Sequence, residues 1–97
     1  MVVGISVCEL HLPAARSLKE KRRVVKSLVE RIHHRYRVSV AETGFQNLHQ
    51  RAEISIAAVA NGEGEMTEMM QQLRALIDEE MEAVVTLWQP QFLEGAR

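Results

Sequence analysis

Two helical stretches with one apolar stripe each, four stretches of alternating hydrophobicity around them, and turn residues after the second and third of those together predict a βαββαβ order. That order is the signature of a ferredoxin-like α/β sandwich, with two helices on one face of a four-stranded antiparallel sheet in the order 4-1-3-2. The right-handed crossover rule selects this arrangement over its mirror image. At 97 residues the chain is read as a single domain, 1–97. Area scaling has such a chain burying about two thirds of its surface, so it needs no metal or disulfide staple.

From Val2 to Leu12, the even positions Cys8, Leu10 and Leu12 alternate with Glu9 and His11, the period of a strand with one buried face, β1. Pro13 stops it. Ser17 is placed as an N-cap, and Glu20 completes a capping box for α1, residues 17 to 36. Its stripe is Leu18, Val25, Leu28, Val29, Ile32 and Tyr36. Arg37 to Thr43 alternates again as β2, with Val38 and Val40 on one face, and Gly44 ends it. Arg51 to Ala60 forms β3, with Ala52, Ile54, Ile56 and Ala58 inward. The turn Asn61-Gly62-Glu63-Gly64 precedes α2, whose buried stripe is Met66, Met69, Met70, Leu73, Leu76, Ile77 and Met81. Glu63, Glu65 and Glu68 suit its positive end. Ala83 to Gln89 is β4, with Pro90 at a strand end or edge, and residues 91–97 are read as a flexible tail.

Glu9-Leu10-His11-Leu12-Pro13, then Arg16-Ser17-Leu18-Lys19-Glu20-Lys21-Arg22, then Val38-Ser39-Val40-Ala41-Glu42, resemble the YlxP-like family of small bacterial proteins, a domain of unknown function. The resemblance covers residues 1 to about 62 and is most specific in the Ser-Leu-Lys-x-Lys-Arg stretch. It implies a ferredoxin-like fold and a bacterial cytoplasmic protein. Members are often encoded among translation and ribosome-maturation genes, which implies, by association, a role near RNA or the ribosome.

Charge is segregated along the chain. Residues 16 to 37 hold nine cations against Glu20 and Glu30, a local charge of +7, which leaves about −8 elsewhere. A basic helix on a nearly neutral protein reads as a phosphate-contacting surface, because Lys and Arg displace the counterions condensed on nucleic acid. The expected contacts are Arg16, Lys19, Lys21, Arg22, Arg23 and Lys26. Lys19, Arg23 and Lys26 share an outward face, while Arg16 and Lys21 sit near the helix start, where free N–H groups favour anions. The alternative is internal neutralisation. With antiparallel helices, Lys19, Lys21, Arg22 and Arg23 lie beside Asp78, Glu79, Glu80 and Glu82, and Arg31, Arg35 and Arg37 beside Glu63, Glu65 and Glu68.

The open face of the sheet should carry Val3, Ile5, Val7, Glu9 and His11 from β1, Arg37 and Ser39 from β2, and Arg51, Glu53 and Ser55 from β3, with an aliphatic cluster beside Ala57 and Val59. No aromatic residue stands where an RNA-recognition motif stacks bases. An aliphatic patch facing solvent predicts a contact between copies, so the chain is expected to be a homo-oligomer through Val3, Ile5 and Val7, with the β4 edge as the alternative contact.

No cofactor, metal site or catalytic residue is expected. His11, His33, His34 and His49 lack paired-ligand spacing, and neither Cys8 nor any Ser has a recognisable His and acid partner. The loop Pro13-Ala14-Ala15-Arg16 lacks the glycines with which ferredoxin-like acylphosphatases bind anions. A lone Cys fits a reducing cytoplasm. The first segment lacks the basic start of a signal sequence and is broken by Glu9 and His11, and no membrane span is expected.

Overall fold

The computed structural model describes residues 1–95. Along the chain it contains β1 (Val2–His11), α1 (Leu18–Arg35), β2 (Ser39–Gly44), β3 (Arg51–Ala60), α2 (Glu63–Asp78) and β4 (Val84–Glu94). The four strands form one antiparallel sheet in the order β2-β3-β1-β4, the expected 4-1-3-2. Both helices pack on one side of it, and the fold is the ferredoxin-like sandwich that the order of elements predicts.

Alternation decides which face each strand buries. In β1, Val2, Gly4, Ser6, Cys8 and Leu10 are buried under the helices, while Val3, Ile5, Val7 and Glu9 face the other way. Their partners on β3, Ala52, Ile54, Ile56, Ala58 and Ala60, are buried likewise. Leu28 and Ile32 of α1 and Met66 and Leu73 of α2 complete a core in which each is fully buried. Gly4 is the close-approach point between α2 and the sheet. A Cβ there would lie 2.4 Å from Met66 Sδ, and Met66, itself fully buried, has little room to yield.

The capping box closes α1 as expected: the Glu20 amide donates to Ser17 Oγ at 3.1 Å. The Glu20 carboxylate reaches one residue further back, accepting from the Arg16 amide. Ser17 and Glu20 thus occupy two of the N–H groups around the helix start, those of Glu20 and Arg16.

Three boundaries differ most from the sequence reading. Strand β2 begins at Ser39 instead of Arg37, because Arg37 and Val38 still belong to the connection leaving α1. Helix α2 stops at Asp78, so Met81 falls beyond it and is 96% exposed instead of buried. Strand β4 continues through Pro90 to Glu94, and the Gly95 amide donates to the Met1 carbonyl at 2.8 Å. Residues 91–94 are therefore strand and not tail; residues 96 and 97 lie outside the described residues. Pro90 fits because β4 is the sheet edge, where a missing N–H breaks no ladder. Among the described residues, no helix is long and apolar enough to cross a membrane.

Candidate functional site

The basic segment divides into cations that are used inside the molecule and cations that are not. Lys21 is the largest departure from expectation. It is fully buried, and its ammonium donates to the Phe45 carbonyl at 2.8 Å and the Arg51 carbonyl at 3.3 Å, with Glu42 Oε2 at 3.0 Å. It cannot belong to a phosphate-binding surface. Its task is to hold the β2–β3 connection, where Phe45 takes a left-handed backbone conformation at φ 56° and Arg51 stacks on the Phe45 ring at 3.9 Å. The sequence does contain a signal for this. Lys21, Val25, Leu28 and Ile32 recur at helical spacing, which puts Lys21 on the apolar stripe.

Arg23 is neutralised as well. It pairs with Glu82 at 3.1 Å, and the hydrogen bond to Glu82, followed by that carboxylate's charge, raises the pKa of its guanidinium. Arg31 pairs with Glu80. Arg23 thus meets the acidic end of α2 as the complementarity reading expects. Arg31 does not reach Glu63, Glu65 or Glu68, because the helices are offset and the turn after α2 carries Glu80 and Glu82 back along α1. Asp78 is engaged by Arg74 on its own helix at 3.0 Å.

Arg16, Lys19, Arg22 and Lys26 remain at the start of the segment, and Arg35 and Arg37 at its end. All six are exposed, and none forms an ion pair among the described residues. On α1, Lys19, Arg22 and Lys26 fall within about 60° of one another around the axis and span about 10 Å along it. The outward stripe is therefore Lys19, Arg22 and Lys26, with Arg22 in the place expected for Arg23. His33 continues it two turns later, also exposed.

On the opposite side of the sheet, Val3, Ile5 and Val7 lie where the alternation puts them. Ile5 is 45% exposed, and beside it stand Val59 at 62% and Leu93 at 70%. Leu93, paired with Val3, was lost to the sequence reading along with the end of β4. Charge on this face gathers at one end, where Arg51 binds Glu9 at 2.8 Å and Glu53 accepts from Thr43, while Arg37 lines the other end beside Val3 and Val59.

Cys8 is buried in the core, and burial pushes its thiol up to about 12 from 9.0; Arg74 opposes this and Asp78 and Glu9 add to it. At neutral pH burial keeps that sulfur protonated and away from solvent. Among the described residues, no three His, Cys, Asp or Glu side chains converge on a common point.

Residues 3–89 match the family described as Protein of unknown function (DUF503). The chain is 36% identical over 87 residues to the Uncharacterized protein YlxP of Bacillus subtilis (strain 168), an alignment covering 88% of this chain and 95% of that protein. Among solved structures, it is similar to a de novo designed protein with ferredoxin fold, solved by solution NMR. The TM-score is 0.52 at 14% identity, covering all of this chain and 90% of the design, a likeness of fold alone.

Proposed function

The chain belongs to the DUF503 family, whose description assigns no activity, and we propose that it is a non-catalytic cytoplasmic protein that binds structured RNA or a ribosomal particle through the outer face of α1. The observation that carries this reading is the set Arg16, Lys19, Arg22 and Lys26. These four cations stay exposed and unpaired among the described residues, while Lys21, Arg23 and Arg31 are satisfied within the fold. A protein of net charge −1 that leaves these cations out of ion pairs, with Glu30 the acid on the same face, presents a local field suited to phosphates. Among the described residues no aromatic side chain of the strands faces the open side to stack bases, so recognition falls on the backbone and shape of an RNA helix. The inert thiol of Cys8 supports a binding role over a catalytic one, and a lone buried Cys suits a reducing compartment.

The test is binding of a labelled RNA duplex, followed by fluorescence anisotropy at low salt, by the parent and by the triple variant Lys19→Gln, Arg22→Gln, Lys26→Gln. Gln is tolerated in helices, so the variant should keep its circular dichroism and melting curve. Affinity is expected to fall about tenfold or more. Equal affinity for both proteins would remove α1 as the surface. Capture of ribosomal particles from lysate should likewise be lost on nuclease treatment.

A further inference from the structure

The face of the sheet that carries no helix has an aliphatic centre at Val3, Ile5, Val7, Ala57 and Val59, with Gln89 and Gln91 of β4 and Ser55 of β3 beside it and Glu9, Arg51 and Glu53 at one end, and it is large enough to matter. Four strands about 4.8 Å apart and seven residues at about 3.3 Å each make a plane of roughly 19 by 23 Å. Two such faces, with side-chain relief, bury on the order of 1,000 Å² in total, the lower end of what a specific dimer needs. The basic helix and the acidic helix both lie on the other side of the sheet. A partner for this face therefore needs an aliphatic patch of the same twist with polar groups around it, and a second copy of the chain supplies that by identity.

We infer that the open sheet face binds a second copy of this chain about a two-fold axis that runs parallel to the strands, between β1 and β3. The register favours this axis. Ile5 and Ala57 are cross-strand partners, as are Val3 and Val59. A two-fold between the two strands exchanges the members of each pair. Ile5 then projects over the partner's Ala57, a large side chain meeting a small one twice by symmetry, and Val3 meets the partner's Val59. The same axis brings Glu9 toward the partner's Glu53, so the charged end opposes closure and the apolar end drives it. Added salt screens the first and strengthens the second. The dimer should tighten as salt rises, whereas RNA binding on the far side of the sheet should weaken, so either claim can fail without the other.

Sedimentation equilibrium should show a species of about 22 kDa, twice the 11.0 kDa chain, forming at micromolar concentration. Ile5→Ala and Ala57→Ile should each raise the dissociation constant about tenfold or more, the first by emptying the contact and the second by overfilling it. The double variant Ile5→Ala, Ala57→Ile should return to within about threefold of the parent, because the two-fold again sets large against small. Val59→Glu, a change at a solvent-facing position, should give a folded monomer. A parent that stays at 11 kDa up to millimolar concentration would overturn the inference, as would a dimer that survives Val59→Glu. A folded double variant that remains as weak as its single parents would overturn the two-fold.

Discussion

An ammonium group taken out of water needs about as many partners as it has protons, and Lys21 finds them in two carbonyls and a carboxylate of the β2–β3 region. Removing the charge while keeping the bulk leaves Phe45, Arg51 and Glu42 unpaired at once. Lys21→Met should destabilise the fold by about 2 to 4 kcal/mol in urea unfolding; Glu42 is 22% exposed and can recover some water, which holds the loss below that of a fully buried pair. A loss under about 0.5 kcal/mol, the range of an ordinary surface change, would show that the ammonium is not what holds the connection. The position of Lys21 on the apolar stripe was legible from spacing alone. Its partners were not, since Glu42 and Phe45 meet it only once β2 has paired with β3. Cys8 gives a second prediction at this scale. Its thiol is held up to about 12 in the folded chain, so above pH 9 the unfolded chain releases the proton first. The resulting stability is intact below pH 9 and is lost as the pH rises toward 12. Cys8→Ala should therefore show a shallower fall in melting temperature above pH 9 than the parent, and identical slopes would contradict the burial account.

At the scale of elements, the pairing of α1 with the acidic turn after α2 is what separates used from unused cations. Exposed pairs such as Arg23–Glu82 are screened by solvent and salt, and each stabilises little by itself. Glu80→Lys together with Glu82→Lys should leave the fold intact and lower the thermal midpoint by a few degrees at low salt, with a smaller shift at high salt. No change at low salt would mean that the turn does not depend on these charges. The sequence pattern offers acids and bases meeting between the helices as the alternative to a free basic face, without fixing the register. The stripe Met66, Met70, Leu73, Ile77 continues in step to Met81, and only the turn at Glu79 and Glu80, where the chain bends back toward Arg31, breaks it. Strand β4 was cut short for a related reason. Gln89, Pro90 and Gln91 interrupt the alternation, and their place in the sheet comes from pairing with Val7, Ser6 and Ile5, long-range partners that a local pattern does not reveal.

Across the whole molecule, the sheet separates two surfaces of opposite character: a helical side with an unneutralised basic stripe and an open side with an apolar centre. The molecule extends 48 Å along its long axis against 21 and 20 Å across, so a duplex lying along α1 leaves the open face clear for a second copy. Two copies joined through their sheets would present α1 stripes on opposite outer sides, and RNA binding should then proceed with one site per chain. The measurement that tests the central claim most directly is the affinity for a helical RNA as a function of salt. If Arg16, Lys19, Arg22 and Lys26 contact phosphates, log affinity should fall against log salt with a slope of about −3 to −4, on the B-DNA coefficient. In the Lys19, Arg22, Lys26 to Gln variant the slope should shrink by about 2 to 3. Parent and variant with the same slope and the same affinity at low salt would contradict the account.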